Sequence, residues 1–107
     1  MNLEQILNYR RSVRYYSDTK LIDTEKVAHC LRLAQLAPTS SNMQLYEMYH
    51  ITDKDVLKKL ASACLEQNSA DTAQEMVVFV TRQDLHRKRE KEVFRLEIEN
   101  IRSCLLY

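Results

Sequence analysis

Apolar residues recur at helical spacing in four stretches of the chain and form short continuous runs in two others. The helical spacing predicts helices over residues 2–9, 23–38 and 53–64 and from residue 84 onward. Asp23, either Thr52 or Asp53, and Asp84 can serve as N-caps of the last three. The polar stretch 67–74 is predicted to be a loop. The runs "LYEMYHI" (45–51) and "MVVFVT" (76–81) are bounded by turn residues and rich in β-formers, which predicts two strands. The pattern therefore predicts a single α+β or mixed α/β domain over 1–107, and we take α+β, with helices packed on a small sheet, as the fold class.

The predicted sheet is thin. A two-stranded sheet is marginal in water on its own, and the unbroken apolar run of the second strand is typical of a strand with both faces covered. We therefore expect a partner subunit or further chain to cover it.

Composition excludes several classes of function. The chain is 45% hydrophobic and 29% charged, and its formal net charge of +1 favours neither nucleic acid nor an anionic membrane. The longest apolar run, residues 76–80, is too short to span a bilayer. The three cysteines do not show metal-type spacing, so we expect no metal site and reduced thiols, as in a cytoplasmic protein.

Glycine is absent from the sequence, although average usage of about 7% predicts several. Turns that need a positive φ must therefore be avoided or made by Asn, Asp or Ser.

The segment "RRSVR", residues 10–14, is the first candidate site, and we call it the arginine segment. It places Arg10, Arg11 and Arg14 around Ser12, and guanidinium groups match phosphate oxygens with forked donors. The functional interpretation is a phosphate clamp. The alternative is that these cations follow a helix C-terminus, where the helix dipole favours them, and stay solvated.

The second candidate site is "PTSSNMQ", residues 38–44, which we call the amide loop. Pro, Ser and Asn suit any turn between a helix and a strand. The side-chain amides of Asn42 and Gln44, however, each offer a donor and an acceptor, which suits the edge of a heterocycle. Together, the two segments would hold both ends of a nucleotide-like ligand.

In this order and at this separation the segments resemble the nitroreductase family of flavin mononucleotide (FMN) oxidoreductases. "RRSVRYY" is similar to the family's R-R-S-x-R segment, and "LAPTSSNMQLY" is similar to its L-A-P-S-S-x-N-x-Q-P-W segment. The resemblance covers the first half of the chain well and is only a general helix–strand–helix pattern from Asp53 onward.

The resemblance implies a homodimer with FMN at the subunit interface. Arg10, Ser12 and Arg11 would contact the phosphate and ribityl chain, and Arg14 would approach the pyrimidine end of the flavin ring. The residues implied to line the same flavin from the other subunit are Pro38, Thr39, Ser40, Asn42 and Gln44.

The chemistry implied is hydride transfer from NADH or NADPH through bound FMN to a nitroaromatic, quinone or similar small-molecule acceptor, in a ping-pong cycle. The protein would supply binding, orientation and electrostatics, so we expect no side chain to act as a catalytic acid or base.

The sequence departs from the family pattern at Leu45 and Tyr46, which replace Pro-Trp, and at Ser41, where glycine is common. Family chains also continue into a glycine-rich stretch and a late basic residue, so we interpret this sequence as a truncated chain or a fragment.

The alternative function is a non-catalytic dimerisation or interaction protein that retains part of the fold. Nucleic-acid binding is poorly supported, because the net charge is small and no binding motif is recognised.

Overall fold

The structure is a computed structural model that describes residues 1–104. Over this range the chain forms helices and a two-stranded antiparallel sheet, as the α+β prediction requires. The elements are α1 (Leu3–Tyr9), α2 (Thr24–Ala34), β1 (Tyr46–Ile51), α3 (Lys54–Ala63), α4 (Asn68–Asp71), β2 (Met76–Thr81) and α5 (His86–Cys104), with 3-10 turns at Ser40–Asn42 and Gln83–Leu85.

The chain divides into two compact units. Residues 1–22 and 51–76 form the first, and residues 23–50 with the chain from Val77 onward form the second. The arginine segment therefore belongs to the first unit and the amide loop to the second. The single domain expected over 1–107 stays a prediction.

Three helices begin at side chains that cap their free backbone N–H groups. At α1, Asn2 accepts from the backbone N–H of Gln5, and the Gln5 side chain accepts from the backbone N–H of Asn2, both at 2.9 Å. Asp23 accepts from the N–H of Lys26 at 3.1 Å, and Asp53 accepts from two backbone N–H groups at the start of α3. The predicted cap Asp23 is confirmed, and of the two candidates for α3 the cap is Asp53 and not Thr52.

The predicted cap Asp84 is wrong, because α5 begins only at His86. Asp84 lies in the 3-10 turn Gln83–Leu85, and its carboxylate accepts from Arg82 Nε at 2.9 Å and from Nη2 at 2.8 Å. A bidentate pair of this kind gives the carboxylate two parallel charge-assisted hydrogen bonds from one guanidinium group.

Two other predictions, the end of α2 and the loop over 67–74, differ from the structure. Helix α2 ends at Ala34, and the chain reaches Pro38 through tighter turns in which Leu36 N–H donates to Leu33 O at 3.0 Å and Ala37 N–H to Ala34 O at 3.1 Å. The stretch 67–74, predicted as loop, contains the single helical turn α4.

Burial is concentrated on α3. Among the described residues the buried hydrophobic side chains are Leu57 and Ala61, the centre of the predicted α3 stripe. The later half of β2 is exposed, with Phe79 at 64%, so the two covered faces expected for this strand are not formed by residues 1–104. In that same range, no helix is both long enough and apolar enough to cross a membrane.

Among residues 1–104, five adopt a positive φ: Ser41, Asn42, Gln44, Leu65 and Glu66. The expectation that Asn and Ser would make such turns is confirmed at two positions. Left-handed Gln, Leu and Glu were not expected, since the left-handed region costs about 1–2 kcal/mol for a residue with a Cβ.

The C-terminus of α3 shows why Leu65 is left-handed. The N–H of Leu65 donates to Ser62 O at 3.1 Å, and the N–H of Glu66 donates to Ala61 O at 3.0 Å. This is the Schellman arrangement, which uses glycine in most proteins and a leucine here.

Candidate functional site

The arginine segment follows α1 as extended chain. Arg11 turns back, and its Nη1 donates to Asn8 O at 2.6 Å and Arg10 O at 2.8 Å. This contact satisfies carbonyls at the end of α1. The guanidinium groups of Arg10 and Arg14, by contrast, make no hydrogen bond or ion pair within residues 1–104.

A single glutamine holds the chain that follows the arginine segment. Gln74 Nε2 donates to Ser17 O at 2.6 Å and to Lys20 O at 2.9 Å, and its Oε1 accepts from the N–H of Ile22 at 3.0 Å. Extended chain without a sheet partner needs such contacts for its backbone groups.

Two more side chains fix the chain just after Arg14. The backbone N–H of Tyr16 donates to Thr72 Oγ1 at 3.0 Å, and Asn68 Nδ2 donates to the hydroxyl oxygen of Tyr15. Sequence reasoning missed these contacts and the role of Gln74, because the partners lie 52–57 residues apart and leave no local pattern.

Arg14 lines a cleft of about 450 Å³ in the first unit. Glu66 also lines the cleft, so both a cationic and an acidic residue contribute to its lining. The remaining lining residues are Tyr15, Gln67, Asn68 and Ser69.

The amide loop is a compact turn closed by its own polar groups. Thr39 Oγ1 accepts from the N–H of Gln44 at 3.1 Å, and Thr39 O accepts from the N–H of Asn42 at 3.0 Å. Ser40 begins the 3-10 turn, and the N–H of Met43 donates to its carbonyl at 3.0 Å. Because Ser41, Asn42 and Gln44 are all left-handed, these contacts hold a conformation that the backbone alone disfavours.

The two side-chain amides of the loop are paired. Gln44 Nε2 donates to Asn42 Oδ1 at 2.9 Å, and both residues are exposed. This pairing leaves the Asn42 amide group as a donor and Gln44 Oε1 as an acceptor, neither with a partner among the described residues. The loop therefore offers a donor and an acceptor side by side to a ligand.

Two arginines fasten the end of the loop. Arg89 Nη1, from α5, donates to Gln44 O and, at 3.4 Å, lies near Met43 O. The backbone N–H of Arg82 donates to Leu45 O at 2.9 Å, which joins the loop exit to the end of β2. Neither contact was predicted from the sequence.

An apolar cavity of about 240 Å³ opens beside the start of the amide loop. Its lining is almost wholly hydrocarbon, so it suits a flat apolar surface better than a charged group. The lining residues are Ala34, Ala37, Pro38, Thr39, Tyr46, Met48 and Phe79.

A charged network ties β1 to the end of β2. The Tyr49 hydroxyl donates to Glu47 Oε2 at 2.7 Å, and Arg82 Nη1 donates to Glu47 Oε1. The hydrogen bond from Tyr49, followed by that from Arg82, holds the pKa of Glu47 below its usual range. Arg82 likewise lowers the pKa of Asp84, and the bond to Glu47 raises the pKa of Tyr49.

The structure thus groups the predicted residues into two sets, one in each unit. In the part of the chain that it describes, no cluster of His, Cys, Asp or Glu is arranged to hold a metal ion. The first set is Arg10, Arg11, Ser12 and Arg14, and the second is Pro38, Thr39, Ser40, Asn42 and Gln44.

Known structures share this fold. A nitroreductase of Exiguobacterium sibiricum, provisionally assigned and solved in complex with FMN, matches 99% of this chain and 55% of its own with a TM-score of 0.70 and 23% identity. A provisionally assigned nitroreductase of Bacillus subtilis matches 73% of this chain and 38% of its own, with a TM-score of 0.65 and 24% identity.

Comparison of sequences points to the same class of protein as these structures. A protein of Archaeoglobus fulgidus, provisionally named an NADH dehydrogenase/NAD(P)H nitroreductase, is 39% identical over 54 residues, which are 50% of this chain and 30% of that protein. This chain therefore spans about a third of that relative's length. The model of the nitroreductase family matches residues 7–105. The chain belongs to the nitroreductase family.

Proposed function

We propose that this chain forms part of an FMN-dependent NAD(P)H oxidoreductase. The observation that carries the proposal is the amide loop, whose strained backbone presents one donor on Asn42 and one acceptor on Gln44. The printed names of the archaeal relative and of the FMN complex support it.

The residues present fit the two ends of FMN. The paired amides suit the pyrimidine edge of the flavin ring, which carries both donors and acceptors. In the first unit, Arg10 and Arg14 keep guanidinium groups without partners among the described residues, as a phosphate or an electron-rich ring edge would require. Ser12 adds a hydroxyl donor. Arg11 is less suited, since its guanidinium is engaged with carbonyls at the end of α1.

We further propose that two copies of the chain assemble as a cytoplasmic homodimer and that each FMN is bound by the arginine segment of one copy and the amide loop of the other. Large apolar side chains exposed on α5 and on β2 support a covering partner, because burying apolar surface favours association.

When bound, FMN would supply the redox chemistry, taking hydride from NADH or NADPH and passing electrons to a nitroaromatic, quinone or similar acceptor. The chain's own residues bind and orient the cofactor and adjust the charge around it. We propose that reductant and acceptor occupy the site in turn, as a ping-pong cycle requires.

A second candidate is a non-catalytic dimerisation or interaction protein. It is favoured by the same exposed apolar side chains, which serve association whether or not a cofactor is present. Purified protein that remains colourless in excess FMN would favour this candidate.

The phosphate role of Arg10 is testable by comparing two flavins. We expect Arg10→Ala to weaken FMN binding about tenfold or more and riboflavin binding little, because only FMN carries a phosphate and a charge-assisted contact is worth about 1.5–3 kcal/mol. Quenching of flavin fluorescence on titration measures both dissociation constants.

Arg32→Ala is the matched control, since it removes one exposed cation from α2 outside both candidate segments. Equal losses for FMN and riboflavin in Arg10→Ala would contradict the phosphate role. A wild-type chain that binds neither flavin would overturn the proposed function itself.

A further inference from the structure

Arg89 occupies an unusual place for a cation. It is the fourth residue of α5, near the positive end of the helix dipole, where a positive charge is disfavoured. It is also half-buried, whereas its neighbours Arg87 and Lys88 are exposed. A half-buried cation at this end of a helix needs a contact that compensates for its charge, and Arg89 makes that contact with the amide loop.

We propose that Arg89 is a positioning residue that holds the amide loop in its ligand-presenting conformation. The proposal rests on the proposed function, because the ligand in question is the flavin. Arg89 would not touch the flavin and would act through Gln44.

The contact acts on a loop carbonyl that accepts two hydrogen bonds. Gln44 is left-handed, with φ of 49°, and its carbonyl oxygen accepts from the N–H of Tyr46 at 2.8 Å as well as from Arg89 Nη1. Relaxation of Gln44 to a negative φ would turn this peptide plane relative to α5 and break the hydrogen bond from Arg89, whereas the bond from the N–H of Tyr46 depends on the backbone of Leu45. Arg89 therefore opposes the relaxation that the backbone favours.

The amide pair depends on the same backbone. The Gln44 side chain reaches Asn42 because both residues are left-handed, so a relaxed loop would separate the free donor from the free acceptor. Loss of Arg89 should then weaken recognition of the flavin ring, which FMN and riboflavin share, and not recognition of the phosphate.

The test uses Arg89→Met, which keeps an unbranched side chain and removes the donors, with Arg87→Met on the same helix as the control for charge. Amide hydrogen exchange of residues 39–46 reports the loop, and fluorescence titration gives the affinity for FMN and for riboflavin. We expect faster exchange in the loop and about tenfold weaker binding of both flavins in Arg89→Met. Arg87→Met should match the wild type in both measurements.

Arg89→Lys keeps the charge and one donor group, so it should recover part of the affinity, and it replaces Arg89→Met if that variant fails to fold. Unchanged exchange in the loop would overturn the proposal, as would unchanged affinity or a loss confined to FMN. If the wild-type chain binds no flavin, the proposed function fails, and the exchange comparison alone then decides whether Arg89 holds the loop.

Discussion

At the scale of single residues, the backbone of a chain without glycine is the most informative feature. Leu65 illustrates the conformational free energy that a left-handed residue with a Cβ costs. It closes the Schellman turn after α3 with φ of 58°, and its side chain is 85% exposed, so little packing compensates for the left-handed conformation. The turn is retained because its two hydrogen bonds satisfy carbonyls at the end of α3.

We expect Leu65→Gly to raise the free energy of unfolding by about 1 kcal/mol, because glycine has no Cβ to clash in the left-handed region. Urea denaturation followed by circular dichroism measures the change. Leu65→Ala is the matched control: it removes the same exposed side chain but keeps the Cβ, so its stability should stay close to that of the wild type. Equal effects of glycine and alanine would show that the backbone conformation is not the cause.

At the scale of elements, the pair β1 and β2 is tied together by charge. Glu47 and Asp84 have lowered pKa values in the folded chain, so their ionised forms stabilise it above their ordinary pKa values of 4.5 and 3.8. That contribution is lost as the pH falls through the lowered values. Tyr49 behaves in the opposite sense: its pKa is raised above 10.0, so its contribution is present below pH 10 and lost as the pH rises further.

Arg82→Met should therefore be destabilised at pH 6 and less so as the pH is lowered to 3, because protonation of Glu47 and Asp84 removes the same interactions in the wild type. Unfolding in urea at a series of pH values gives both curves. Tyr49→Phe retains Arg82 and should lose only the part of the acid dependence due to its bond with Glu47. If the curves of wild type and Arg82→Met run parallel from pH 6 to 3, the network does not contribute to acid stability.

Elements specified by neighbouring residues were predictable from the sequence, and contacts between distant residues were not. Asp23 and Asp53 cap helices through N–H groups no more than three residues away, so their roles can be read locally. Asp84 looked equivalent, but Arg82 competes for its carboxylate. Gln74 and Arg89 act on backbone 45–57 residues away, and no local pattern identifies that role.

The candidate site shows the same contrast between what residue types indicate and what depends on the folded chain. The composition of the amide loop indicated that Asn42 and Gln44 could serve a ligand. The hydrogen bond between the two amides and the positive φ of Gln44 could not be predicted, because both depend on the folded backbone.

At the scale of the whole molecule, exposed apolar side chains are the main evidence for a partner. On α5, Phe94 is 67% exposed and Ile101 is 56% exposed, and their spacing of seven residues places them on one face of the helix. A helix of this kind is stabilised more by packing of such a face than by its intrinsic propensity.

We expect the chain to sediment as a dimer and the double variant Phe94→Glu/Ile101→Glu to sediment as a monomer, because buried carboxylates without partners would oppose association. Analytical ultracentrifugation over a range of concentrations distinguishes the two. Lys88→Glu, an exposed change on the same helix, should leave the association state unaltered. A monomeric wild type would contradict the proposed assembly.

The two-stranded sheet has a consequence for handling the protein. Among residues 1–104, β1 and β2 have only each other as strand neighbours, so both present an outer edge to any further strand. The segment "MVVFVT" is uncharged, free of proline and glycine and rich in β-formers, which is the signature of cross-β aggregation. Glu75 and Arg82 flank it with opposite charges, as gatekeeper residues do. The arginine that ties the strands together would thus also limit the growth of fibrils from them.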